Sequence, residues 1–290
     1  MLSRDQKRRP RIGLALSGGA ARGIAHIGVL RALSEHEIPI DCVAGTSAGA
    51  LVGGALASGL PLSEIEDLGR SLRWRDIGRM TVSRLGIQSN DRLEEYLKER
   101  LPVTRFEDLA IPFAVIATDL DSGAAVVMRD EGDVPFAIRA SCAIPGWYVP
   151  VEDEHGRQLV DGGLVANIPS EPARALGADV VIAVDVNAEG AKFLEPSQSI
   201  VGVLLQSMLL VQRTASLQQV LESDLVIKPH VGHIRWDEMG RAEELLAAGY
   251  EAGLENIDAI KALIESATER ARRWYQFRRR KALDPAVNAR

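Results

Sequence analysis

The sequence predicts a three-layer α/β/α fold with a mostly parallel central sheet, and two observations carry this prediction. Apolar segments of strand length alternate with segments of helix length along the chain, which is typical of α/β proteins with helices on both faces of a sheet. In addition, residues 180–184 are all apolar and lie between Asp179 and Asp185. A strand without polar alternation must be covered on both faces, as in a parallel sheet.

The individual elements follow from the same pattern. The predicted strands are 11–16, 42–45, 113–118, 124–128, 158–160, 180–184 and 225–228. The predicted helices are 23–36, 48–57, 90–101, 171–176, 200–221 and 238–267. Residues 75–90 are the least regular part, and we interpret them as a loop or cap. Helix 200–221 is apolar enough to cover a pocket or form a dimer face, but an ordinary core helix is the favoured interpretation.

The domain organisation is predicted to be simple. No internal repeat and no linker rich in Pro, Gly and Ser divides the 290 residues, a length near the upper limit for one hydrophobic core. We expect one folded domain over residues 11–268, a basic tail over residues 1–10, and a basic, aromatic tail over residues 269–290. The tail over residues 269–290 could dock on the anionic headgroups of a membrane. A solvated, frayed terminus is the simpler interpretation.

Composition excludes several classes of protein. A net charge of −6 gives no case for nucleic-acid binding. The two cysteines, Cys42 and Cys142, form no CxxC pair, so a zinc ribbon or redox motif is unsupported and free thiols in a reducing compartment are expected. No signal peptide is recognisable, and the longest apolar run, 200–211, is too short to span a bilayer. We therefore expect a cytoplasmic protein, or one in peripheral contact with the inner membrane surface.

The strongest local signal is Gly45-Thr46-Ser47-Ala48-Gly49. It follows a short apolar strand and precedes a helix of small residues, which is the setting of a nucleophile elbow. Glycine two residues on either side of Ser47 lets the backbone turn sharply, so the hydroxyl projects at a helix N-terminus that favours negative charge. A Gly/Ser-rich turn without chemistry is the alternative. The motif and its setting favour Ser47 as a nucleophile.

A second glycine-rich turn, Ser17 to Gly23, also joins a strand to a helix. A nucleotide-phosphate loop is excluded because Ile24 stands where the P-loop requires lysine. Consecutive glycines can expose consecutive amides as an anion cradle. The amides of Gly18, Gly19 and Ala20 are therefore candidates for an oxyanion hole. A helix N-cap that binds nothing remains an equal alternative.

The base that activates Ser47 is left open by the residues themselves. Histidine is the usual partner, and His230 or His233, after the last predicted strand, fits the chain order of an α/β-hydrolase. The other candidate is Asp161, which ends a short apolar strand and precedes two glycines. An aspartate is a weak base at its ordinary pKa, so it would need a dry pocket that raises the pKa. Alternatively, Asp161 has no catalytic role and its side chain caps its own loop in an Asx turn.

Taken together, residues 11–186 resemble the patatin-like phospholipase family. The resemblance rests on three motifs in order: GGAARG at 18–23, GTSAG at 45–49 and DGG at 161–163. The stretches ASCAIPGWYVPVE before the third motif and NIPSEPARALGAD after it are also similar to this family. The chain resembles short bacterial members that consist of the catalytic domain alone. Beyond about residue 188 the resemblance is weaker.

The resemblance implies a Ser–Asp dyad without metal or cofactor, in which Ser47 attacks the acyl carbonyl and Asp161 is the base. Gly18, Gly19, Ala20 and Gly23 would belong to the oxyanion loop, with Arg22 orienting the loop or the lipid head group. The implied substrates are acyl esters of phospholipids, lysophospholipids and neutral lipids. The implied partners are this substrate and a membrane surface, and a homo-oligomer is compatible with the sequence.

Three other functions remain as alternatives. The same residues could serve a carboxylesterase acting on small soluble esters. A regulatory protein without activity could use the same fold, since a fold and its motifs can outlast catalysis. Nucleotide binding at residues 18–23 is disfavoured by the missing lysine.

Overall fold

The architecture comes from a computed structural model, which describes residues 9–189 and 200–282. The strands are β1 Ile12–Leu16, β2 Cys42–Thr46, β3 Arg79–Met80, β4 Gly86–Ser89, β5 Phe113–Asp119, β6 Ala125–Arg129, β7 Gly146–Tyr148, β8 Val151–Glu152, β9 Gln158–Asp161, β10 Val180–Val184 and β11 Leu225–Ile227. The helices are α1 Ala25–Glu35, α2 Ala48–Ala57, α3 Leu62–Ser71, α4 Trp74–Ile77, α5 Asp91–Arg100, α6 Val134–Ser141, α7 Ser170–Ala175, α8 Ile200–Gln219 and α9 Ala242–Ala282.

The central sheet has the strand order β11-β10-β1-β2-β5-β9-β8, with β6 also paired to β5. The pairs from β11 to β5 are all parallel, whereas β6 and β9 run antiparallel to β5 and β8 antiparallel to β9. The prediction of a mostly parallel sheet is confirmed. The antiparallel strands lie at one side, beyond β5.

The register of the sheet brings the predicted site together. Leu16 pairs with Gly45, so β1 and β2 end at the same edge and their turns lie side by side. Thr46 pairs with Ile116 on β5, and the next residue of β5, Ala117, pairs with Asp161 on β9. Asp161 is therefore level with Ser47, although β5 lies between their strands.

Helices cover both faces of the sheet, which confirms the three-layer prediction. One core packs the large side chains of β1, such as Leu14, against α1, α2 and α9. The other core packs small residues, such as Ala15 and Ala44, against α7. Because the α7 side of the strands carries small residues, this short helix lies close to the sheet. The five residues of β10 are all buried, as their uniformly apolar character predicts.

Several elements escaped the sequence prediction. Helices α3 and α6 were not predicted, although α3 has apolar residues at intervals of three, Leu62, Ile65 and Leu68, among polar and charged ones. The segment interpreted as irregular, 75–90, forms most of α4 together with β3 and β4. Strand β4 pairs with β7, which lies about 60 residues further along the chain. The four residues of β4 are all only partly buried, so the strand has no apolar run that a local pattern could indicate.

Helix α9 also differs from its prediction. It begins at Ala242 and continues to Ala282, so the expected boundary between domain and tail at residue 268 falls inside a continuous helix. The docking role of that segment stays a prediction. Most of the predicted basic tail 1–10 lies outside the described residues. Within 9–189 and 200–282, none of the helices combines the length and apolar character needed to cross a bilayer.

Candidate active site

Ser47 occupies a strained turn between β2 and α2. Its backbone has φ 54° and ψ −120°, a conformation that costs a non-glycine residue about 1–3 kcal/mol and persists only when the surroundings hold it. One such restraint is a hydrogen bond of 2.7 Å from the Ser47 amide to Ser141 Oγ. The Ser141 hydroxyl in turn donates to the carbonyl of Ile116 at 2.6 Å. The main chain of the nucleophile candidate is thus tied to β5.

The glycines beside Ser47 are required by close backbone approaches. A Cβ at Gly49 would lie 2.2 Å from the carbonyl oxygen of Leu16, at the end of β1. A Cβ at Gly45 would lie 2.5 Å from the carbonyl oxygen of Gly49. These oxygens belong to the main chain and cannot rotate away. The tight approach of α2 to both strands is therefore possible only without side chains at these positions.

Asp161 ends β9 with its carboxyl group buried; the residue is 5% exposed. Burial raises the pKa of this carboxyl to about 6, because removal from water disfavours the charged form. The Ser47 hydroxyl and the Gly163 amide, 2.8 Å from Oδ1, act in the opposite direction by hydrogen bonding to the carboxylate. The structure thus brings Ser47 and Asp161 together in a dry site, the environment that a carboxylate base requires.

The amides of the first glycine-rich turn are not equivalent. Gly18 donates its amide to the main-chain carbonyl of Asn167 at 3.2 Å, so this donor is already engaged. Among the residues that the structure describes, none accepts a hydrogen bond from the amides of Gly19 or Ala20. Ala20 has a positive φ of 50°, and both residues line the cavity that contains Ser47 and Asp161. These two amides are the donors available for an oxyanion.

Arg22 is one of the largest fully buried side chains of the molecule. Its Nε donates to the carbonyl of Ile234 at 2.7 Å, and Nη1 lies 3.4 Å from Oδ1 of Asn187. Burial lowers the pKa of the guanidinium, while the charge of Glu189 opposes this shift. These bonds connect the loop to the segments after β10 and after β11, which supports the predicted role of Arg22 in orienting the loop.

Two cavities meet at Ser47. The first measures about 650 Å³ including its open side, and its lining is almost entirely apolar. Its walls include Ile24, Ile27, Leu51, Leu72, Ile77 and Leu93. The second, about 560 Å³, holds the polar groups of the glycine-rich loop and Asp161, and Met208, Leu209 and Gln212 of α8 form its far wall. A molecule with its apolar chain in the first cavity would have the polar group at the end of that chain beside Ser47.

The candidate histidine bases lie away from Ser47. No histidine lines either cavity that contains Ser47, within the described part of the chain. His230 and His233 are exposed and contact Glu189 and Glu244, each at 2.7 Å. His26 is buried, and burial lowers its pKa to about 4. In the same described residues, no group of acidic, histidine and cysteine side chains could hold a metal ion.

Sequence reasoning missed several residues that shape the site. Ser141 and Asn167 lie inside the two stretches that resemble the family, but nothing in their local pattern indicated a role. Asn167 Oδ1 accepts a hydrogen bond from Gln212 at 2.8 Å, and its Nδ2 donates to Ser216 at 3.1 Å. Gln212 and Ser216 belong to α8, so the helix and the oxyanion loop share one polar network. Only the tertiary contacts reveal this link.

Comparison with known proteins shows which proteins this chain resembles in sequence. The family described as "Patatin-like phospholipase" matches residues 14–174, which is more than half of the chain. An uncharacterised NTE family protein of Mycobacterium tuberculosis is 40% identical over 185 residues, which cover 63% of this chain and 51% of that protein. Lysophospholipase NTE1 of Mycosarcoma maydis is 37% identical over 185 residues, covering 61% of this chain and 10% of that protein.

The fold comparison agrees with the sequence comparison. The crystal structure of VipD from Legionella pneumophila superposes with a TM-score of 0.60 at 16% identity, covering 87% of this chain and 67% of that one. This likeness shows the fold alone. The chain spans about half the length of the mycobacterial relative and a tenth of the fungal one. On the match over residues 14–174, this chain belongs to the patatin-like phospholipase family.

Proposed function

We propose that this protein is a serine lipid acyl hydrolase in which Ser47 is the nucleophile and Asp161 the general base. One observation carries the proposal: the Ser47 hydroxyl faces the buried carboxyl of Asp161 where an apolar cavity of about 650 Å³ meets the free amides of Gly19 and Ala20. Nucleophile, base, oxyanion donors and a site for an acyl chain are thus within one connected space.

The proposed reaction has two steps. Ser47 Oγ attacks the ester carbonyl carbon and passes its proton to Asp161, while the amides of Gly19 and Ala20 stabilise the negative oxygen. The leaving alcohol takes the proton as the ester bond breaks, and an acyl-Ser47 ester remains. Water then attacks this ester with Asp161 again as base, and the fatty acid leaves. Each oxyanion donor contributes on the order of 3 kcal/mol to such a transition state.

The apolar cavity supports a lipid rather than a small ester as substrate. Its walls offer an acyl chain little besides hydrocarbon, as the mostly apolar linings of ligand sites do. Burial of each methylene stabilises the complex by about 0.8 kcal/mol. The name of the fungal relative, lysophospholipase, supports a phospholipid or lysophospholipid head group.

The first test is covalent labelling by a fluorophosphonate probe, read by intact mass. We expect one label on the native protein, none on Ser47→Ala, and at least ~10³-fold slower labelling of Asp161→Asn. Ser122→Ala and Asp119→Asn are matched controls at exposed positions and should label at the native rate. Labelling lost in a variant with both His230 and His233 changed to Ala, with folding confirmed, would contradict Asp161 as the sole base.

The second test identifies the substrate class. Fatty acid release from lysophosphatidylcholine should exceed hydrolysis of short-chain soluble esters when the two are compared by kcat/KM. A preference for short-chain esters that shows no gain above the micelle threshold would indicate a small-ester carboxylesterase instead. Failure of the native protein to label at all, in folded form, would favour a regulatory protein without activity.

A further inference from the structure

The outward face of α8 is unusually apolar. Among the described residues, half of the large hydrophobic side chains that are strongly exposed lie on α8 or on the turn that follows it. We call them the α8 stripe: Val203, Leu204, Leu210, Val211, Leu217 and Leu221, which are 52–81% exposed. Most repeat at intervals of seven residues, so they share one side of the helix.

The two hydroxyl groups along this side are already hydrogen-bonded within the helix. Ser207 Oγ donates to the carbonyl of Val203 at 2.8 Å, and Thr214 Oγ1 donates to the carbonyl of Leu210 at 3.1 Å. Helix α8 contains no acidic residue, and Arg213 is its single charged residue. The α8 stripe can therefore leave water without stranding a charge or a hydroxyl group.

The opposite side of the same helix belongs to the candidate active site. Met208, Leu209 and Gln212 line the cavity that contains Ser47 and Asp161. Leu210 and Val211 of the α8 stripe lie between these residues in the chain. One helix thus contributes to the cavity wall on one side and carries the α8 stripe on the other, so whatever covers the stripe lies against a helix of the candidate active site.

We propose that the α8 stripe docks the protein on the surface of a lipid bilayer. The inference rests on the proposed function, because a lipid acyl hydrolase must take its substrate from a lipid surface. From Val203 to Leu221 the stripe extends ~27 Å at 1.5 Å per residue, a length suited to a helix that lies flat in the interface. The absence of carboxylates on α8 and the exposed Arg213 suit anionic headgroups, which repel acidic surfaces.

The test is co-sedimentation with vesicles of phosphatidylcholine, with and without phosphatidylglycerol. The variant Leu210→Glu/Leu217→Glu should bind vesicles at least ~10-fold more weakly, because two charges replace apolar contacts with the interface. A matched control, Val127→Glu/Leu254→Glu, adds the same charge at exposed positions on β6 and α9 and should bind as the native protein does. Because binding is mainly apolar, added salt should weaken it little on neutral vesicles.

Several outcomes would overturn the proposal. One is equal vesicle binding by the stripe variant and its control. Another is a native dimer in analytical ultracentrifugation that the stripe variant converts to monomer without a change in vesicle binding, which would indicate a second copy on this face. Failure of the native protein to co-sediment with vesicles of either composition would also refute docking. Hydrolysis of a soluble short-chain ester, dependent on Ser47 and unchanged in the stripe variant, tests the proposed function separately.

Discussion

The two glycine-rich turns of this protein share a plan but offer different groups to the site. Each follows a strand of the parallel sheet and opens a helix, and each holds a non-glycine residue at positive φ, 50° at Ala20 and 54° at Ser47. In the second turn the amide of Ser47 donates to Ser141 Oγ and is not available to a ligand. The group that this turn offers to the cavity is therefore the Ser47 hydroxyl. In the first turn Gly19 has no side chain and Ala20 only a methyl group, and within the described residues nothing accepts a hydrogen bond from their two amides.

The difference shows how one local geometry can supply two chemical roles. A strained turn exposes whatever group the surrounding structure leaves unsatisfied. Ser141 satisfies the amide in one turn, whereas in the other Asn167 satisfies only Gly18 and leaves the next two amides free. The neighbours of each turn therefore decide whether it presents free amides or a side-chain hydroxyl to the cavity.

The largest expected effect is on stability: an alanine in the second turn should destabilise the protein more than an alanine in the first turn. Gly49→Ala would bring a Cβ to 2.2 Å from the main-chain oxygen of Leu16, so we expect at least ~4 kcal/mol of destabilisation. In Gly18→Ala the new Cβ would lie 2.8 Å from Oδ1 of Asn167, which is a side-chain atom and can shift. We therefore expect the free energy of unfolding to fall by only about 1–2 kcal/mol, together with a loss of activity. Urea unfolding of both variants measures the difference. Equal destabilisation would mean that both turns are held equally rigidly.

The next effect concerns the carboxyl that faces the second turn. Because the pKa of Asp161 is about 6 when folded and near 3.9 when unfolded, the folded state holds the proton more tightly. Its contribution to stability is complete below pH ~4 and is lost as pH rises through 6. Asp161→Asn should therefore unfold at higher denaturant than the native protein at pH 8, by on the order of 2–3 kcal/mol, and match it near pH 4.

Activity should show the opposite dependence on pH. The base must be unprotonated, so kcat/KM of the native enzyme should rise with pH and level off above about 6. An Asp161→Asn variant that is no more stable than native at pH 8, or a native rate that is flat from pH 4 to 8, would argue against a buried, proton-accepting carboxyl.

The smallest effect tests the restraint on Ser47. Ser141→Ala removes the acceptor of the Ser47 amide and the donor to Ile116, and unsatisfied buried groups of this kind cost about 1–3 kcal/mol. We expect kcat to fall by ~10–100-fold with KM nearly unchanged, since the turn rather than the acyl cavity is altered. Ser58→Ala is the matched control, because Ser58 is also buried and its hydroxyl donates to the carbonyl of Ala55, away from Ser47. Equal kcat in both variants would remove Ser141 from the positioning of the nucleophile.

Prediction from sequence succeeded where the signal was local. Strand β10 and helix α2 were predicted with their observed bounds, because a run of apolar residues or of small residues defines each of them. It failed for elements without such a run, such as β4, whose four residues are all only partly buried. The catalytic roles of Ser47 and Asp161 stay predictions, now with a shared environment that supports them.

The sequence by itself determined the fold class, the two glycine-rich turns and the residues that the resemblance singles out. These properties depend on short stretches of chain, in which periodicity and glycine spacing act over a few residues. Only the tertiary structure decided which amides are free, that Asp161 is level with Ser47, and that α8 joins the site on one side and carries an apolar stripe on the other. Those outcomes depend on sheet register and burial, which join residues far apart in the chain, such as Ala117 with Asp161 and Ser47 with Asp161.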